Sequence, residues 1–257
     1  SIANVMLSLV NKGDDVIIPA PYWVSYTEIV KLAEGKPVFI NTSIDNNFKI
    51  TPEQLKNALT PKSRIFIFSS PSNPTGSLYT KEELQEMAAI FEKYENLYII
   101  SDEIYEHINF SGKHESIAQF ENIANRVIII NGVSKGYAMT GWRIGYIGAA
   151  KWIADACAKL QGQFTSGASS IAQKAAVAAL NSDNSCIIEM REAFRKRREL
   201  VVSMLNDIPG MKTYMPQGAF YVFPDITGFL NKQYSGTTIK NSTDLSMFLL
   251  NDALVAT

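Results

Sequence analysis

The chain has 257 residues, 46% of them apolar, enough to bury one large core or one core and an appendage. Its 24 lysines and arginines nearly balance 25 aspartates and glutamates. That leaves no cationic footprint for nucleic acid or an anionic membrane, so small-molecule partners are expected. No apolar run approaches the roughly 20 residues that span a bilayer and no basic-then-apolar leader opens the chain, so a soluble, cytoplasmic protein is expected. Cys157 and Cys186 lack C-x-x-C spacing, and His107 and His114 are the only imidazoles. Neither a disulfide framework nor a metal site is expected.

In chain order, SIANVMLSLV at residues 1–10 has helical apolar spacing with no preceding cap. At the other end NDALVAT stops where a helix would pass to a strand, so further residues are expected on both sides. Residues 14–20 form an apolar strand, and residues 22–34 have helical spacing closed by Gly35 as C-cap. KPVFINT follows as a strand. Thr51, Pro52 and Gln54 supply a cap, a first-turn proline and a capping-box glutamine for a helix reaching about Leu59. Residues 64–68, RIFIF, form a buried strand that runs into the Pro/Asn/Gly-dense loop SSPSNPTGS. Thr80 and Glu83 form a second capping box, ahead of an apolar stripe of Leu84, Met87, Ala88 and Phe91.

The strand in NLYIISDEIYEH ends in acid at Asp102 and Glu103, and RVIII at residues 126–130 is another β-branched strand. Apolar strands separated by helices predict a mostly parallel sheet covered on both faces. Three helices are predicted from KWIADACAKLQG, SSIAQKAAVAALN and residues 185–206, with RKRR at residues 195–198 as the solvated face of the last. The pattern then changes to the strand-rich KTYMPQGAFYVFPDI and a capped helix near Thr243. A larger α/β domain at 1–207 and part of a smaller α+β domain at 208–257 are expected.

Lys135 lies in NGVSKGYAMTGWRIGY, residues 131–146, just after an apolar strand. Gly136 and Gly141 are expected to permit tight turns, and Arg143 to fix an anion. A lysine placed there can condense with a carbonyl. Asp102, Lys135 and Asn73 would each stand beyond the carboxyl end of a strand, where open α/β sheets bind ligands.

Five segments in this order and spacing resemble the fold-type I pyridoxal-phosphate enzymes, class I/II aminotransferases, nearest the bacterial-type aspartate enzymes. They are PAPYWVSY, PSNPTG, SDEIYEH, NGVSKGYAMTGWRIGY and QGQFTSGASSIAQ. The resemblance implies pyridoxal 5'-phosphate held as a Schiff base by Lys135, which also moves protons, with Asp102 paired to the pyridine nitrogen. It implies Asn73 and Tyr105 on the ring oxygen, Trp23 stacked on the ring, and Arg143 and Ser134 on the phosphate. It further implies cis bonds at Pro21 and Pro74, amino-acid and 2-oxo-acid substrates of aspartate or glutamate type, and a homodimer in which residues 164–169 reach the other copy's site. A phosphate loop, a gating segment and a carboxylate-binding arginine of the family's pattern lie outside these residues, which leaves substrate choice to analogy.

Each residue also has a plainer reading: Asn73 as a turn former, Trp23 and Tyr105 as core. Three other functions compete. Residues 132–136 fit the G-x-S-x-G elbow of hydrolases, although both histidines precede the serine. A lyase or a transaminase for other amino acids is nearer, and a non-catalytic ligand-sensing domain is the third.

Overall fold

The computed structural model describes residues 1–257. It opens on α1 (Ile2–Leu9), which buries Ile2, Val5, Met6 and Leu9 along one face. Then come β1 (Asp15–Ala20), α2 (Ser25–Leu32), β2 (Lys36–Asn41), α3 (Pro52–Ala58), β3 (Ser63–Ser69), α4 (Lys81–Phe91), β4 (Tyr98–Asp102), β5 (Val127–Gly132) and β6 (Gly145–Gly148). Helices α5 (Lys151–Phe164), α6 (Ser170–Leu180) and α7 (Ser185–Asn206) follow, then β7 (Lys232–Tyr234), β8 (Thr237–Ile239) and α8 (Ser242–Asp252).

The main sheet has the order β2-β1-β3-β4-β5-β6. Its first five strands are parallel, and β6 alone runs antiparallel, with Gly145 opposite Gly132. Residues 133–144 contain no crossover helix, so the chain leaving β5 returns beside it in the opposite sense. The unbroken apolar runs of the inner strands are explained by two cores. Ile17, Phe66, Phe68 and Ile99 face α3 and α4 through Leu55, Leu84 and Phe91. Val16, Ile18, Ile65, Ile67 and Ile100 face the other side, against Met6, Tyr26, Val30 and Ile153. Neighbouring residues of one strand thus point into different cores, as the pleat requires, and both must be apolar. A mostly parallel mixed sheet with helices on both faces is therefore what the sequence pattern predicts and what forms.

Both capping boxes are present: Thr51 with Gln54 on α3, and Thr80 with Glu83 on α4. The end of α2 differs from expectation. Glu34, not Gly35, adopts the left-handed conformation, at φ 58°. Paired bonds from Glu34 N–H to the Lys31 carbonyl and from Gly35 N–H to the Val30 carbonyl close the helix, both at 3.0 Å.

The segment expected to be strand-rich forms only isolated bridges, Lys212 to Asp225 and Gly218 to Asn109. Pro216 has no N–H to give a ladder, and Ala219 turns the backbone at φ 57°. Residues 216–221 instead run as a strap across two loops of the main sheet. Gln217 and Gly218 N–H both donate to the Gly76 carbonyl at 2.9 Å, while Phe110 N–H reaches Gln217 O and Ala219 N–H reaches Ile108 O, each at 2.8 Å.

One arginine of RKRR also departs from the expected solvated face. Arg195 does sit between Glu192 and Glu199 on the exposed side of α7. Arg198, however, donates to the Pro216 carbonyl at 2.8 Å and stacks 4.5 Å above the Phe110 ring, fastening α7 to the strap. No helix is long and apolar enough to cross a membrane.

Candidate active site

Asp102 is the last residue of β4, in register with Ser69 of β3 and Ile130 of β5, and it is buried. Its Oδ2 accepts from the Tyr26 hydroxyl at 2.7 Å, and Oδ1 accepts a longer bond from the Ile104 N–H at 3.4 Å. No lysine, arginine or histidine pairs with it. Burial therefore dominates and lifts its pKa to about 6, although the Tyr26 bond pulls the other way.

Lys135 follows β5 in a turn closed by bonds from Tyr137 N–H to Val133 O and from Ala138 N–H to Lys135 O. Its Nζ stands 5.8 Å from the Tyr105 ring centroid and 5.6 Å from that of Phe220. No carboxylate neutralises it, so the ammonium rests against two aromatic faces. The expected turn glycines act otherwise. Gly136 is small because a Cβ there would lie 2.5 Å from the His107 ring, whereas Gly141 has open space. The left-handed positions in this loop are Ala138 and Arg143, at φ 53° and 57°.

The β3–α4 loop carries Asn73, whose N–H bonds the Ser69 hydroxyl at 3.2 Å. Asn73 Nδ2 donates to the Tyr221 hydroxyl at 3.3 Å, and that hydroxyl lies 2.6 Å from the hydroxyl of Tyr105. Tyr105 is buried, and its phenol is pushed far above the usual range, by burial first and by Tyr221 second. Trp23 is half-exposed, its ring edge-on to Tyr26 at 5.5 Å. Asn73, Tyr105 and Lys135 thus meet through Tyr221 and Phe220 of the strap, and Trp23 meets Asp102 through Tyr26.

The two remaining candidates make no side-chain hydrogen bond to that set. Ser134 adjoins Lys135 in the turn, half-buried, and its hydroxyl has no protein partner. The Arg143 guanidinium is exposed and donates to Thr140 O at 2.7 Å, with no acid beside it. Both Pro21 and Pro74 follow cis bonds, as does Pro71, which was not expected.

Sequence reasoning missed Tyr26, Phe220 and Tyr221. Tyr26 lies in the first turn of α2, three residues after Trp23, whose carbonyl accepts the Tyr26 N–H at 2.9 Å just ahead of the helix. Nothing local marks Phe220 or Tyr221, because their partners are distant in the chain.

Glu103, Glu106 and His114 present ligand atoms within 4.8 Å of one another, a grouping able to hold a metal ion. Protein donors already serve it. Glu103 accepts from Ser101, Ser116 and His114 at 2.8, 2.6 and 2.9 Å, and Glu106 accepts from Asn131 at 2.7 Å. Neither histidine of these residues bonds to Ser134; His107 faces Glu106 at 3.5 Å.

The site is therefore that of an open α/β sheet with polar groups gathered at its strand ends. A sequence profile of the aminotransferase class I and II family matches residues 1–252, and the chain belongs to that family. It is 47% identical to the aspartate/prephenate aminotransferase of Nitrosomonas europaea over 265 aligned positions, covering 100% of this chain and 66% of that protein. It is 46% identical to a bifunctional aspartate aminotransferase and glutamate/aspartate-prephenate aminotransferase of Petunia hybrida, covering 54% of it. The crystal structure of the aspartate aminotransferase from Rhizobium meliloti superposes with a TM-score of 0.95 at 43% identity, over 99% of this chain and 64% of that one. The chain thus spans between about half and two thirds of the length of the curated relatives it matches.

Proposed function

We propose that the protein is a pyridoxal-phosphate-dependent aminotransferase moving an amino group between an aspartate- or glutamate-type amino acid and a 2-oxo acid. The observation that carries this is Asp102, a buried carboxylate at a strand end that no lysine, arginine or histidine side chain pairs with. A protonated pyridine nitrogen is the partner it lacks, and the next strand leads into the loop that holds an amine, Lys135, free of any acid. These groups fit the cofactor. When bound, it supplies an aldehyde for the amine and a cationic ring that withdraws electrons from the substrate's α carbon.

In this reading Asp102 holds the proton on the ring nitrogen, because a buried carboxylate favours the cation beside it. Asn73 and Tyr105 donate hydrogen bonds to the ring oxygen. Trp23 covers one face of the ring, and Ser134 and Arg143 bind the phosphate, for which a guanidinium fork is well shaped. Lys135 Nζ would hold the aldehyde and is the amine placed to move a proton at the substrate's α carbon, so one side chain would serve as nucleophile and as general base.

The same proposal includes a two-domain division at 1–207 and 208–257, pairing with a second copy, and a cytoplasmic location. Pairing is supported by apolar residues left bare on α5 and α6, where Phe164 and Ile171 are each 74% exposed. The free cysteines suit a reducing compartment.

The test is a visible absorption spectrum of the protein loaded with pyridoxal phosphate, recorded against a panel of amino acids. Aspartate or glutamate should bleach the Lys135-bound absorbance and yield a 2-oxo acid, and Lys135→Ala should abolish both. Bound cofactor that no amino acid alters would instead favour a sensing domain, and transamination retained in Lys135→Ala would overturn the assignment.

A further inference from the structure

Tyr221 comes from the strap, far in sequence from the residues it meets: 116 positions from Tyr105 and 148 from Asn73. The three groups can be joined in one direction only if each oxygen both accepts and donates. Asn73 Nδ2 has only protons to give, so the Tyr221 oxygen accepts from it at 3.3 Å. The next contact, 2.6 Å between the Tyr221 and Tyr105 oxygens, can be donated from either side. When Tyr221 donates across it, Tyr105 keeps its own proton for something else. Chains of aligned hydroxyls strengthen one another.

We propose that Tyr221 is a positioning residue: it donates to Tyr105, so that Asn73, Tyr221 and Tyr105 form a one-way relay that aims the Tyr105 proton at the ring oxygen of the bound cofactor. The proposal rests on the cofactor assignment above. The surroundings hold the relay in place. Phe220 stacks on Phe194 of α7 at 5.2 Å and packs against Tyr105 at 5.4 Å and Tyr221 at 4.8 Å, and the backbone bonds of the strap to Gly76, Ile108 and Phe110 fix its register. Losing the Tyr221 hydroxyl would remove the bond that polarises the Tyr105 hydroxyl, and the ring oxygen would be left with a weaker donor. A less well solvated ring oxygen raises the proton affinity of the neighbouring nitrogen bound to Lys135.

The experiment compares wild type, Tyr221→Phe, Tyr105→Phe and the double variant of the full chain, each loaded with pyridoxal phosphate, by titrating visible absorbance against pH. Phenylalanine keeps the ring packing, and cofactor-free thermal unfolding within about 3 °C of wild type, on the order of a ΔΔG below 1 kcal/mol, confirms the fold. The expected result is an upward shift of the absorbance midpoint in Tyr221→Phe, at least as large a shift in Tyr105→Phe, and no additional shift in the double variant, because Tyr221 acts only through Tyr105. An unmoved midpoint in Tyr221→Phe, or shifts that add in the double variant, overturns the relay while leaving the cofactor assignment intact. Absence of any visible absorbance in the loaded wild type overturns both.

Discussion

The Tyr26 hydroxyl sits 2.7 Å from Oδ2 of Asp102, and it is the one short hydrogen bond that this buried carboxylate receives. A bond to the charged form favours ionisation, so Tyr26→Phe should raise the Asp102 pKa above its present value of about 6. The ring nitrogen would then face a carboxyl less often charged. Pyridoxal phosphate affinity at neutral pH should fall by roughly tenfold, the equivalent of one lost charge-assisted hydrogen bond. Equilibrium dialysis of the variant measures it, and an unchanged affinity would show that Asp102 does not need the phenol.

The same carboxylate should make the cofactor-free protein sensitive to pH. Its folded value of about 6 lies above the ordinary aspartate range, so between about pH 4 and 6 the folded chain binds more protons than the unfolded one. Asp102 therefore leaves stability intact below about pH 4 and subtracts from it as pH rises through 6, by about 3 kcal/mol for a shift of this size. Urea unfolding of wild type and Asp102→Asn at pH 4 and pH 7 isolates the effect. The variant should gain on wild type at pH 7 and not at pH 4.

The strap is held by close backbone approach. A Cβ on Gly76 would lie 2.5 Å from Pro216 Cβ and 2.7 Å from the Gly218 carbonyl, at a residue whose φ is +69°. A Cβ on Gly218 would lie 2.6 Å from Pro71. Gly76→Ala and Gly218→Ala should therefore push the strap off its loops, at a cost of about 2–3 kcal/mol from overpacking and lost bonds. Thermal melts would register the loss, and an upward shift of the pH midpoint of cofactor absorbance would report the displaced Tyr221.

Arg126 closes the gap between α4 and β5 by donating to the carbonyls of Phe91, Tyr94 and Leu97, the last two at 2.5 and 2.9 Å. Arg126→Met keeps the stem but removes the charged donor from all three carbonyls, of which Phe91 O and Tyr94 O retain the N–H groups of Tyr94 and Leu97 at 3.0 and 3.1 Å. Destabilisation of about 2–3 kcal/mol is expected in chemical denaturation. Thr80→Ala, which removes only the α4 cap, should cost about 1 kcal/mol.

What the sequence revealed follows from how far each feature reaches along the chain. Thr51 with Gln54 and Thr80 with Glu83 are contacts across three residues, and both boxes form as read. The apolar runs of β1, β3, β4 and β5 announce burial on both faces, because each strand feeds two cores. Asp102 and Lys135 were legible from their place after such runs. Where the reading failed, distance or punctuation was responsible. The KTYMPQGAFYVFPDI segment has strand composition, yet Pro216 and Gly218 divide it, and its hydrogen bonds go to loops more than a hundred residues earlier. Arg198 looked like one of four similar charges until Phe110 and Pro216 were found beneath it.

The strap also sets the order in which the protein becomes competent. A chain emerging from the ribosome can close the parallel sheet and place Asp102 and Lys135 while residues 216–221 are still being made. The tie between Tyr221 and Asn73 then closes a loop of 148 residues, among the longest in the molecule and entropically among the last to form. A nascent polypeptide would thus carry Lys135 beside Tyr105 for some time before Phe220 and Tyr221 of the strap arrive to complete their surroundings.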